Sequence, residues 1–121
     1  MKLVRAENTG RGTVLGTSIA LANRWWLRLR GLSSRAALEE GEGLLLDPCR
    51  AVHMFGMRFS IDVAFLGRDG SVVALYPALA PGSRTRFHRS ARVALELPVG
   101  ALAASGTQEG DRILCIEQET S

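Results

Sequence analysis

The chain has 121 residues, 46% of them hydrophobic and 22% charged; this is the size and composition of one globular domain and excludes disorder, collagen, coiled coil and disulfide scaffold. Fifteen basic residues against twelve acidic leave a net charge of +3, too little to imply a nucleic-acid partner. Glycine is 13 of 121, above its usual share of ~7%, and favours a turn-rich, strand-rich fold over a helical bundle.

Residues 2–7 and 13–22 read as two strands, because Asn8, Thr9, Gly10, Arg11 and Gly12 supply the positive φ and short polar side chains of a hairpin loop. The apolar run of the second strand is interrupted by Gly16, Thr17 and Ser18, which separates it from a signal peptide. Asn23 is placed as a helix N-cap and Gly31 as the residue that ends the helix, with Trp25, Trp26 and Leu29 on one face and Arg24 and Arg28 on another. Residues 33–40 hold a further turn or two of helix. Leu44, Leu45 and Leu46 form a short strand stopped by Asp47 and Pro48, and 51–54 a second extended segment. Residues 61–66 and 71–75 flank Gly67-Arg68-Asp69-Gly70 as the clearest hairpin of the chain.

Residues 76–90, with Pro77 and Pro81, read as a long loop. Strict alternation follows in 92–97, Val93, Leu95 and Leu97 on one face and Arg92, Ala94 and Glu96 on the other. One helical turn at 101–105 and a last strand at 112–117 complete the chain. The fold predicted is α+β: a single domain over 1–121, built as a small, partly closed antiparallel β-barrel with one or two short helices.

Several blocks of the sequence, in order, form a recognisable pattern: Arg30-Gly31-Leu32, Glu42-Gly43-Leu44-Leu45-Leu46, the run from Val52 through Met57-Arg58-Phe59-Ser60-Ile61-Asp62 to Leu66, Arg68-Asp69-Gly70, Ala94-Leu95-Glu96-Leu97-Pro98-Val99-Gly100, and Gly110-Asp111. The pattern resembles the uncharacterised bacterial and archaeal family known as domain of unknown function 192. Ser60 departs from it, standing where that family usually has proline. The resemblance implies a compact barrel-like α+β fold and no established activity. Many relatives carry a signal peptide ahead of the domain, whereas this chain begins at the domain. No stretch approaches the ~18 apolar residues of a membrane span, and the two cysteines, Cys49 and Cys115, stand outside any C-x-x-C pair. A cytoplasmic protein with reduced thiols, and no membrane partner, is expected.

Asp62 shares a strand face with Ala64 and Leu66, so its carboxylate is expected to be buried and paired, with Arg58 as first partner and His53 as second. Cys49, His53, His88 and Cys115 include the residue types of a zinc site, but only Cys49 and His53 are closely spaced, and no metal or other cofactor is expected. Met54, Phe55, Met57 and Phe59 around Gly56 read as core filling or as an adaptable apolar patch. Two stretches, 24–35 and 84–92, each hold four arginines and no acid. They read as solvated faces, with no strong nucleic-acid binding expected.

The leading function is a non-enzymatic ligand- or protein-binding (adaptor) module with its site at His53, Met57, Arg58, Asp62 and Glu96; its partner is an unidentified protein or small molecule. The first alternative is a hydrolase or lyase using His53 with Asp62 or Glu96. The second is an RNA-binding protein using both arginine stretches, which requires them to share a face.

Overall fold

A computed structural model gives the structure of the protein, in which residues 2–22 and 37–118 are described. The expected helix between Asn23 and Gly31 lies outside the described residues. Among the described residues seven strands form one sheet: β1(Leu3–Asn8), β2(Thr13–Ala22), β3(Glu42–Leu46), β4(Ile61–Leu66), β5(Val72–Leu79), β6(Val93–Leu97) and β7(Ile113–Gln118), with a short helix, α1(Ala101–Ser105), before the last. Their order across the sheet is β5-β4-β6-β3-β2-β1-β7.

Hairpin chemistry places the two expected hairpins, β1–β2 and β4–β5. In the first, Gly12 and Arg11 donate their amides to the Asn8 carbonyl. β2 and β3 instead run parallel, which requires a crossover of a dozen residues or more. The nineteen residues from 23 to 41 supply that length.

Among the described residues the edges of the sheet meet at one end. Ser71 and Arg112 form a bridge between them, flanked by Val72 N–H to the Asp111 carbonyl at 2.7 Å and Ile113 N–H to the Gly70 carbonyl at 2.9 Å. The barrel is therefore partly closed, as the sequence predicts. Gly70 sits at this closure with φ 84°, and a β-carbon there would lie 2.5 Å from the Ile113 carbonyl oxygen. Only glycine fits both the backbone angle and the space.

Two apolar layers lie on either side of the sheet. The inner one takes Ala6, Ile19, Leu45, Ala64, Leu95 and Ile113 from successive strands, closed at one end by Leu102 of α1. The outer one takes Leu44, Leu46, Val63, Phe65 and Ala94 and is covered by Val52, Met54 and Ala91 from the connecting segments. β4 runs between the two layers and is buried at every residue, which is why it reads as a nearly continuous apolar run.

The structure corrects one boundary. Residues 76–79, expected as loop, continue β5 through Pro77. The strand lies at the edge of the sheet, where a proline lacking its amide removes no ladder hydrogen bond. The register shifts between Ile61↔Leu79 and Val63↔Tyr76, so Pro77 and Ala78 together oppose Asp62 and the one extra residue makes a bulge. Ala78 takes the left-handed conformation, φ 50°.

Candidate functional site: a buried glutamate on the outer face of the sheet

Strand register decides which candidate residues meet. Asp62 lies opposite Leu97, and Val63 opposite Glu96, on the β4–β6 pair. Directly opposed residues point to the same side of a sheet and successive residues to opposite sides. Asp62 therefore faces the inner layer, with Leu95 and Leu97, whereas Glu96 faces the outer one, with Val63 and Leu44. The two carboxylates stand back to back, not in one cluster.

Asp62 is 1% exposed, as its position in the strand predicts, but its partners are neither Arg58 nor His53. Its Oδ1 accepts the N–H of Ala78 at 2.9 Å. Its Oδ2 accepts the N–H groups of Gly100 at 3.1 Å and Leu102 at 3.0 Å. One carboxylate thus fixes the strained bulge of β5 and the turn into α1 together. The alternation pattern shows the burial; the amides it binds lie sixteen to forty residues away, beyond any local signal.

Glu96 is 7% exposed, and no hydrogen bond or ion pair with any described residue holds its carboxyl. Leu44 and Val63, directly opposite on the neighbouring strands, place their β-carbons about 5 Å away. Burial among apolar neighbours pushes its pKa up to about 7, because taking the ionised form out of water is costly. At neutral pH the carboxyl is divided between a form that donates a hydrogen bond and a form that only accepts.

The remaining candidates are spread out. Met57 is half-buried against the outer apolar layer. His53 and Arg58 are exposed, and His53 takes part in an isolated bridge to Arg84. Cys49 belongs to the outer layer and Cys115 to the inner one, where burial pushes the Cys115 thiol up to about 11. Among the described residues, no three histidine, cysteine, aspartate or glutamate side chains gather as a metal site would require.

The sequence reading missed a polar pair on the outer face. The hydroxyl of Tyr76, the chain's only tyrosine, lies 2.6 Å from His88 Nε2, and the His88 ring packs on Phe65 with centroids 4.7 Å apart. Burial, helped by the nearby positive charge of Arg86 and opposed by Glu109, lowers the His88 pKa. Both residues were hidden in a segment whose prolines and arginines signal a solvated loop. Tyr76 is opposite Val63, which is opposite Glu96; tyrosine, valine, glutamate and Leu44 form one row across the outer face.

A partly closed β-barrel with one short helix among the described residues defines a small α+β domain. Residues 6–115 match the model of domain of unknown function 192, described as an uncharacterised ACR, and the chain belongs to that family. Among curated proteins none matches it. Two solved structures share the fold. A protein of Sinorhizobium meliloti, described as a "putative transcription regulator", superposes with a TM-score of 0.77 at 24% identity, over 94% of this chain and 92% of that one. A protein of unknown function from Novosphingobium aromaticivorans gives a TM-score of 0.79 at 22% identity, over 93% of this chain and 83% of that one. Among the described residues no helix is long and apolar enough to cross a membrane.

Proposed function

We propose that this protein is a non-enzymatic binding module whose ligand docks on the outer face of the β4–β6–β3 sheet, with Glu96 as the polar anchor. The observation that carries this reading is a glutamate 7% exposed that no described residue pairs with. Its oxygens are not sealed from solvent, since among the described residues the one fully buried side-chain polar atom without a hydrogen bond is Asn8 Oδ1, and one accessible polar group among apolar residues is the usual composition of a small-molecule site. The ligand that fits is a small molecule that brings an N–H group to the carboxyl. The hydrolase or lyase alternative has less support. His53 is exposed, Asp62 turns to the other side of the sheet, and its oxygens are occupied by three backbone amides. Asp62 is therefore not placed to orient a catalytic histidine.

The test is a panel of small apolar amines and amides added to ¹⁵N-labelled protein. Shifts concentrated at Leu44, Val63 and residues 94–97 in the wild type, and lost in Glu96→Ala, are expected. A panel that shifts only the open cleft of about 720 Å³ between Val14–Thr17 and Pro98–Ala101, or shifts the outer face equally in the variant, would contradict the assignment.

A further inference from the structure

The net charge of +3 argues against a polyanionic partner only if the arginines are evenly spread, and the fold brings four of them together. Residues 50–54 and 82–88 lie side by side as an irregular ribbon. Met54 N–H bonds the Ser83 carbonyl at 2.7 Å, Thr85 N–H the Val52 carbonyl at 2.8 Å, and His88 N–H the Arg50 carbonyl at 2.8 Å, with the His53–Arg84 bridge between them.

Arg50, Arg84 and Arg86 on this ribbon, and Arg89 just beyond it, are all exposed, and no carboxylate among the described residues pairs with any of them. Neither 48–61 nor 80–95 contains an acidic residue. Near its two ends the ribbon also exposes aromatic rings: Phe55 is 84% exposed and Phe87 66%. Counted from the His53–Arg84 bridge, two residues one way and three the other, they stand roughly 15 Å apart.

We infer that this ribbon binds single-stranded nucleic acid, the arginines on phosphates and the two phenylalanines on bases. Cations alone would suit any polyanion. Exposed rings are the added feature that unpaired bases can use by stacking, whereas the paired bases of a duplex cannot. Fourteen of the fifteen basic residues of the chain are arginine, whose planar fork both pairs with phosphate and stacks on bases. The inference is independent of the Glu96 site, since it uses other residues and another ligand chemistry.

Fluorescence anisotropy with a labelled twelve-nucleotide oligouridine tests it. Four phosphate contacts on a single strand give a log–log salt slope near −2.8, so affinity falls about 50-fold between about 50 mM and about 200 mM salt. Arg84→Ala with Arg86→Ala halves that slope. Phe87→Ser leaves the slope unchanged and weakens binding by roughly 5- to 150-fold, the range of one stacked base. All replaced side chains are exposed, and unchanged thermal melting confirms that the variants fold. The inference is overturned by a slope shallower than −1, by variants that bind like the wild type, or by a duplex of equal length binding as tightly as the single strand. Equal competition by polyglutamate would also overturn it and would make the ribbon a surface for acidic protein segments.

Discussion

Replacing Glu96 by glutamine preserves the shape of the side chain and removes its charge, which isolates the cost of ionising it inside the outer layer. The carboxyl is pushed up to about 7 from an ordinary 4.5. At roughly 1.4 kcal/mol per pH unit, the ionised form is disfavoured in the native state by about 3 kcal/mol. A raised folded pKa contributes stability that is fully present below the unfolded value and lost as pH rises through the folded value. The wild type therefore loses stability between about pH 4.5 and pH 7, whereas the glutamine variant has no such loss. Urea unfolding of both proteins at pH 5 and pH 8 measures this. The variant should be more stable by about 1 kcal/mol at pH 5 and by about 3 kcal/mol at pH 8. With an m-value of roughly 2 kcal/mol/M, the difference at pH 8 moves the urea midpoint up by roughly 1.5 M. Titration of His88 is common to both proteins and cancels in the comparison. An equal difference at the two pH values, or no gain at pH 8, would refute the reasoning.

Asp62→Asn sets an amide N–H₂ against backbone N–H donors now held by the carboxylate, and should cost about 2–4 kcal/mol in urea unfolding. Arg58→Ala, at an exposed position without an ion pair to any described residue, should change stability by less than about 0.5 kcal/mol; a large effect would restore the Arg58–Asp62 pairing. Gly70→Ala strains a left-handed backbone and meets the Ile113 carbonyl at the barrel closure, with an expected loss of about 2–4 kcal/mol; amide exchange at Val72 and Ile113 should speed up with it. Arg11, Asn8 and the Gln108 amide hold the Asp111 carboxyl well below the usual carboxylate range. Its contribution is thus present above the unfolded pKa and lost as pH falls, so Asp111→Asn should lower the melting temperature at pH 6 and much less at pH 2.5. The same difference at both would show that the charge is irrelevant.

The legible parts of this fold were those set by neighbours in sequence. Gly67–Gly70 dictates a turn between two apolar runs, alternation in 92–97 gives β6, and the position of Asp62 beside Ala64 and Leu66 shows that it is buried. Long-range choices were not legible. Pro77 signals a loop until the strand is known to lie at a sheet edge, where it is harmless. The amides that satisfy Asp62 come from a bulge and a turn that only the folded chain brings near. Asp62 and Glu96 fall on opposite faces because of the β4–β6 register, and two strands thirty residues apart in sequence do not reveal their register. The pairing of 50–54 with 82–88 is equally non-local, so an arginine-rich loop that looked like ordinary solvated surface becomes half of a charged ribbon.

Glu96 as an unpaired, buried anchor is the central claim, and its own titration is the most direct measurement. With the glutamate side chains ¹³C-labelled and Glu96→Gln used to assign the signal, the Glu96 carboxyl is followed from pH 4 to pH 9. A midpoint close to 7 is the result this account predicts, moving down when an apolar amine occupies the outer face, because a cationic N–H partner favours the ionised form. A midpoint at the ordinary glutamate value of 4.5 would contradict it, since the carboxyl would then be either hydrated or already paired.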